Sequence, residues 1–289
     1  MIKDFQPVFI IGAGRSGTKL LRDLLAASSE VAEVPYDVGY VWRYKNERVP
    51  HDELTVSDLS ESIAHYVRKT LPNLVNKNAD KNASVMIEKS VPNSLRVAFL
   101  AAIYPNAKFI HLIRDGRAVV ESAARMWTLP PQKGYLKDKL KYFPLSNYRY
   151  AIWYLMNMVV GRFSSKRGQK VWGPRYKGMD IDSESQSLDV ICARQWKHCV
   201  DKAQQQLSDV ASDRVLTLTY ESLVSDESAI ESVCDFIGVN QVEDVIQRYR
   251  QQVTQENLEK WRDRLSSERL AVILPEIEST LRNCGYLEN

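Results

Sequence analysis

The sequence predicts a helix-rich, three-layer α/β fold in which a central, mostly parallel sheet is flanked by helices. Three observations carry that expectation. A fully apolar, β-branched run at Val8–Ile11 is closed at once by Gly12, as expected of a buried strand. Directly after it, Leu20, Leu21, Leu24 and Leu25 fall on one face of a helix beginning near Thr18. Strand-like and helix-like segments then keep alternating, with connections long enough for crossovers, and that order favours parallel pairing.

The elements follow in chain order. After Val8–Ile11 come three further short β-type segments, Ser84–Glu88, Lys108–Ile113 and Arg214–Thr219. Helical patterns lie around 57–69, 92–103, 116–126, 187–208 and 227–237. The stretch 129–188 differs in kind: it opens with Pro130-Pro131, is rich in Lys, Arg and Tyr, and carries Trp172-Gly173-Pro174. It reads as an insertion beside the site, with a helix near 147–160. With no internal repeat and no low-complexity linker, residues 1–289 are expected to form one domain.

Composition removes several functional classes. An apolar content of 44% is ample for a packed core, which excludes a disordered chain. The net charge of +3 from 39 basic and 36 acidic residues is too balanced for a non-specific nucleic-acid binder, so any affinity for anions must be local. The cysteines Cys192, Cys199, Cys234 and Cys284 form no CxxC pair, and neither they nor the four histidines reach a metal-ligand spacing. Reduced core thiols and no metal are the expectation. His111 lies in an apolar strand and reads as core. Trp196 and His198 read as packing in a long helix. The apolar run near the N-terminus is too short for a signal segment and no run of about 18 apolar residues occurs, so a soluble, cytoplasmic protein is expected.

The chemistry begins at Gly12-Ala13-Gly14-Arg15-Ser16-Gly17-Thr18-Lys19, between the first strand and its helix. Backbone N–H groups and the helix dipole make an anion pocket at such a place. Arg15 would add a forked cation, and Ser16 and Thr18 hydroxyl donors. Three readings stay open from the residues alone. The loop nearly fits GxxxxGK[ST] of nucleoside kinases and NTPases, but Thr18 precedes Lys19 where that motif needs the reverse. It also fits GxGxxG at Gly12, Gly14 and Gly17, the weak signal of an NAD(P)-binding module. The third reading is a purely structural glycine turn.

A second motif lies about 100 residues on, where the strand Lys108–Ile113 ends in Arg114-Asp115-Gly116 and a helix carries Ser122. A cation at a strand's carboxyl end stands where open α/β sheets bind ligands. Ser122, eight residues later, is about two helical turns away and can face the same phosphate. Taken alone, Arg114-Asp115 would be a helix-start ion pair. Coupled to the first loop in this order, the two motifs make a purely structural pair improbable.

Together Arg15-Ser16-Gly17-Thr18-Lys19-Leu20-Leu21 and Arg114-(x)7-Ser122 resemble the 5'-phosphosulfate and 3'-phosphate motifs of the PAPS-dependent sulfotransferase superfamily, in its bacterial, carbohydrate and tyrosylprotein branches. The resemblance covers roughly residues 7–125 and 190–287. It implies a P-loop-like fold, 3'-phosphoadenosine 5'-phosphosulfate (PAPS) as donor, 3'-phosphoadenosine 5'-phosphate (PAP) as product, no required metal, and a small-molecule or glycan acceptor. It implies a nucleotide site of Gly14, Arg15, Ser16, Gly17, Thr18, Lys19, Arg114 and Ser122. Tyr220, in Tyr220-Glu221-Ser222-Leu223, would lie near the adenine, and Lys260, in a tail like the one that closes over the nucleotide, would reach a phosphate.

Glu88-Lys89-Ser90-Val91-Pro92 resembles the family's strand end near the transferred sulfate, so Lys89 would stabilise charge there alongside Arg15. The cytosolic branch places a histidine base where this chain has Val91. Related branches use a Glu in a short Pro-containing stretch, here Glu33-Val34-Pro35-Tyr36-Asp37. An ungapped match puts Tyr36 at that Glu and a one-residue shift brings in Asp37. Asp37 is therefore expected as the base, with Glu33 second.

Overall fold

The computed structural model describes residues 5–75, 83–128 and 173–288. Five parallel strands form one sheet in the order β2-β3-β1-β4-β5. In chain order the first elements are β1 (Gln6–Ile11), α1 (Thr18–Leu25), β2 (Val31–Glu33), α2 (Gly39–Trp42), α3 (Glu61–Val75), β3 (Val85–Glu88) and α4 (Val97–Ile103). There follow β4 (Lys108–Ile113), α5 (Gly116–Thr128), α6 (Met179–Ser185), α7 (Leu188–Leu207), β5 (Val215–Thr219) and α8 (Tyr220–Ser225). The chain closes with α9 (Glu227–Ile237), α10 (Glu243–Gln252), α11 (Lys260–Arg264) and α12 (Ser267–Asn283).

The alternation of side chains along each strand divides the core. Phe9, Ile11 and Phe109 pack on one face with Trp42, Leu71 and Phe99. Val8, Ile10, Ile110 and Leu112 pack on the other with Leu21, Leu24 and Ile230. Both faces of the central strands are thus apolar, which is why they read as continuous hydrophobic runs. The edge strand β5 is only partly buried along its length.

Several elements differ from the sequence expectation for identifiable reasons. The edge strand β2 was not anticipated. It has three residues, too few to show a period, and is held by pairing from Val31 to Val85 through Glu33 to Ile87. The helix expected over 57–69 starts at Glu61 instead, because Thr55 and Asp58 close a separate 3-10 turn over Val56–Asp58, and it runs to Val75 with Pro72 in its last turn. The helix expected over 92–103 is broken. Pro92 opens a 3-10 turn over Val91–Leu95, and Arg96, at φ −147°, separates it from α4. Helices α10, α11 and α12 were not anticipated either; α12 buries Ile273, Ile277 and Leu281 at helical spacing but has Pro275 inside. The helix expected near 147–160 and Trp172 lie outside the described residues. Among the described residues no helix is long and apolar enough to cross a membrane.

His111, on β4, is 1% exposed, and among the described residues its Nε2 has no hydrogen-bond partner. Burial lowers its pKa to about 4. Between pH 6.5 and about 4 the unfolded chain therefore binds a proton that the folded chain refuses, so His111 makes stability fall with acidification by about 1.4 kcal/mol per pH unit at most. A His111→Leu variant is expected to show a shallower loss of thermal midpoint over that window than the wild type. Parallel slopes in the two proteins would contradict the assignment.

Candidate anion site at the carboxyl edge of the sheet

The loop between β1 and α1 is shaped by its backbone. Gly17 sits at φ +91°, the left-handed region, and no side chain caps the helix it precedes. Arg15 is also left-handed at φ 73°, an uncommon state for a residue with a Cβ. Left-handed residues on either side of Ser16 bend the loop sharply just before α1, the place where backbone N–H groups can meet an anion. The Ser16 N–H closes the loop onto the Ala13 carbonyl at 3.2 Å. Its hydroxyl is buried and, among the described residues, has no partner. Two glycines are needed for space. A Cβ on Gly12 would stand 2.5 Å from the Leu112 carbonyl of β4, and one on Gly17 would stand 2.4 Å from the Tyr220 ring.

The second motif meets this loop directly. Arg15 Nε donates to Ser122 Oγ at 3.0 Å, across 107 residues of sequence. Arg114 donates to the Arg15 carbonyl at 3.0 Å and to the Asn257 carbonyl at 2.8 Å, and its guanidinium lies 4.2 Å from the centre of the Tyr220 ring. One side chain thus ties the loop, the C-terminal segment and the start of α8. Arg15 is exposed as a residue, yet the protein around its guanidinium is the largest cause lowering its pKa. Repulsion from Arg125 and Arg114 comes next, only partly offset by Glu121. Cations gathered this way favour an anion among them.

The supporting shell comes from three places. Trp196 Nε1 donates to the Arg114 carbonyl at 3.2 Å, and its ring leaves no room for a Cβ on Gly116. Glu221 accepts from the Asp115 N–H at 3.2 Å and from the Tyr286 hydroxyl at 2.6 Å. Arg117 forks onto Asp115 and lies over Trp261, 4.5 Å from its centroid. The C-terminal tail is thereby bound to the second motif. Of these, the sequence signalled Trp196 as packing, Asp115 as part of a helix-start pair and Glu221 only as a member of Tyr220-Glu221-Ser222-Leu223; the Ser122-to-Arg125 spacing, one helical turn on α5, could also have flagged Arg125.

Lys89 leaves the end of β3 beside β1, where Glu88 is in register with Phe9. Its ammonium stands 2.6 Å from Asp37 Oδ1, and Lys89 is buried while Asp37 keeps 31% side-chain exposure. Glu33, the second candidate base, is instead ion-paired with Arg22 at 3.0 Å; burial raises its pKa and Arg22 opposes that. Lys19 points out to solvent and pairs with Asp23 on the next turn. Lys260 pairs with Glu256 at 3.3 Å. The fold therefore gathers Arg15, Gly17, Arg114, Ser122 and Tyr220 in one cluster and joins Asp37 to Lys89, whereas Glu33, Lys19 and Lys260 have other partners. Two shallow concavities lie along α10 and between α7 and β5, and neither includes Arg15, Lys89 or Arg114.

A fold with a tight glycine-rich loop after β1 and an Arg-(x)7-Ser motif after β4 defines a class, and comparison supplies its name. A family model described as "Sulfotransferase family" matches residues 7–158, just over half of the chain, and the chain belongs to that family. Protein-tyrosine sulfotransferase 1 of Mus musculus is 33% identical over 130 residues, 42% of this chain and 34% of that protein. The protein-tyrosine sulfotransferase of Drosophila melanogaster is 22% identical over 252 residues, 80% of this chain and 38% of that protein. The chain thus spans about a third of the length of the curated relatives it matches. Among solved structures, the sulfotransferase domain from the curacin biosynthetic pathway shares the fold with a TM-score of 0.55 at 16% identity, covering 99% of this chain and 100% of that one. A sulfotransferase from Mycobacterium avium gives 0.52 at 13% identity, covering 96% and 76%.

The left-handed backbone and the Tyr220 contact separate in a test on glycines. Gly238 is left-handed at φ +81° with open space around it, so Gly238→Ala carries only the backbone cost, about 1–3 kcal/mol. Gly17→Ala is expected to lower the thermal midpoint further than Gly238→Ala and to weaken nucleotide binding. Equal shifts for the two variants would contradict the packing described at Gly17.

Proposed function

We propose that this protein transfers a sulfuryl group from PAPS to an acceptor hydroxyl or amine, by in-line displacement. The observation that carries this reading is the junction of the two motifs, Arg15 to Ser122 and Arg114 to the Arg15 carbonyl. It makes one cationic site from residues suited to two phosphates. The buried Ser16 hydroxyl, without a partner among the described residues, fits a donor bound against this loop. That donor supplies the sulfuryl group and departs as PAP.

The residues divide the work by position. The Gly14–Thr18 segment, with Ser16 and Thr18 hydroxyls, binds the 5'-phosphosulfate at the N-terminus of α1. Arg114 and Ser122 bind the 3'-phosphate, and Tyr220 offers its ring to the adenine. Arg15 and Lys89 stabilise charge on the sulfuryl oxygens and the leaving phosphate. Asp37 takes the proton of the acceptor as its oxygen or nitrogen bonds to sulfur, and the electron pair of the breaking S–O bond stays with PAP. Lys89, 2.6 Å from Asp37, holds that carboxylate while keeping its own charge near the leaving group. Glu33, Lys19 and Lys260 take no direct part in this scheme. No metal enters it. A glycan or small-molecule hydroxyl is the acceptor suggested by the sequence; the tyrosine sulfotransferase relatives add a tyrosyl phenol to the acceptors to be screened. A cytoplasmic location is part of the same proposal.

Two measurements check it. Calorimetry with PAP in the presence of EDTA should give tight binding, and Arg114→Ala should weaken it about 100-fold, as expected on losing charge-assisted hydrogen bonds. Preference for ATP with magnesium would favour a nucleoside kinase instead. Asp37→Asn should lower kcat by about 100-fold or more, the usual contribution of a general base, with PAP affinity unchanged. Full activity in that variant would remove Asp37 from the mechanism.

A further inference from the structure

Glu88 is fully buried at the end of β3, directly before Lys89. A buried carboxylate is costly unless its oxygens are satisfied, and an apolar residue of similar size would fill the same volume without that cost. Here both oxygens are occupied. Oε1 accepts from Trp42 Nε1 at 3.1 Å and from the Ser90 hydroxyl, and Oε2 accepts from Asn93 Nδ2 at 2.7 Å. The three donors come from two pieces of chain: Trp42 from α2, and Ser90 and Asn93 from the strand end and the 3-10 turn it caps.

The Ser90 hydroxyl, having donated to Glu88, accepts the Val38 N–H at 3.1 Å. Val38 follows Asp37, and Ser90 follows Lys89. Glu88 therefore fastens, through one hydroxyl, the two backbone segments from which Asp37 and Lys89 reach each other. Trp42 anchors the far side of the same loop, so the segment from Asp37 to Trp42 is held at both ends by one carboxylate. Asn93 continues the network by accepting from Arg96 Nε at 2.8 Å, and Arg96 lies 3.7 Å from Asp52. Burial raises the pKa of Glu88, and the hydrogen bonds from Ser90 and Trp42 oppose it.

We infer that Glu88 is a positioning residue for the transfer reaction, fixing the Asp37–Lys89 pair through Ser90 and Trp42 without touching donor or acceptor. The inference rests on the proposed roles of Asp37 and Lys89. It requires that changes at Glu88 and Ser90 slow the chemical step while leaving the Arg15–Arg114–Ser122 cluster intact, since those residues stand in the loop after β1, at the end of β4 and on α5.

The test compares Ser90→Ala, Ser90→Thr, Glu88→Gln and Glu88→Gln/Ser90→Ala in kcat, PAP affinity and thermal midpoint, with Asp37→Asn alongside. Ser90→Ala is expected to lower kcat by about 10-fold, near the upper worth of one hydrogen bond, with PAP affinity unchanged within about two-fold. Ser90→Thr, which keeps the hydroxyl, should retain most of the rate. Glu88→Gln should lose at least as much as Ser90→Ala, and the double variant should be no worse than Glu88→Gln alone, because both act through one linkage. If Glu88→Gln does not fold, the Ser90 pair decides. Wild-type kcat in folded Ser90→Ala, additive losses in the double variant, or a rate loss that tracks PAP affinity would overturn the inference. A fully active Asp37→Asn would sink the underlying reading separately.

Discussion

The close approach of β1 and β4 is the constraint on which the site depends. Val8 through Ile11 pair in register with Lys108 through His111, so the carboxyl ends of two strands separated by about 100 residues emerge side by side. The contact is tight enough that Gly12 tolerates no Cβ against the Leu112 carbonyl. From this adjacency the rest follows. The first strand delivers a left-handed loop at the head of α1, and the second delivers Arg114 at the foot of α5. The hydrogen bonds Arg15 to Ser122 and Arg114 to the Arg15 carbonyl then convert neighbouring loops into one surface.

That surface is electrostatically unbalanced by construction. Arg15 is repelled by Arg114 and Arg125, with Glu121 as the opposing charge. Glu121 is itself shared between Arg125 at 3.4 Å and Arg264 at 3.7 Å. Such a grouping makes an anion a stabilising component instead of a passenger. On the other side of β1, β3 brings Lys89 to the same edge of the sheet and binds it to Asp37. The Arg114–Ser122 side and the Lys89–Asp37 pair thus lie on opposite neighbours of the central strand.

Much of this was legible in the residues, and the exceptions have physical causes. The β1 loop and the β4 end announced themselves because the two occur together, each at a strand's carboxyl end and in this order. Their direct contact could be expected from two motifs serving one ligand, although the bond from Arg15 to Ser122 needs the strand order. Asp37 was reached through a resemblance and a one-residue shift, and its pairing with Lys89 depends on a long-range contact over 52 residues that no local pattern encodes. Lys19 shows a local partner that the motif does not reveal. Within a phosphate loop its charge suggests a ligand, but at i,i+4 from Asp23 a helix offers it a nearer partner. Glu33 was drawn away in the same manner by Arg22. Trp196 read correctly as a packing residue, yet its indole N–H also holds the Arg114 carbonyl, a role that burial alone does not distinguish.

The central claim is that the two motifs form one site for a nucleotide bearing both a 5'- and a 3'-phosphate. The most direct measurement is the ratio of affinities for PAP and adenosine 5'-phosphate, without metal, in the wild type and in Ser122→Ala. The account expects PAP to bind about 100-fold more tightly, the worth of two charge-assisted hydrogen bonds, and Ser122→Ala to shrink that ratio. Equal affinity for the two nucleotides in the wild type would contradict it.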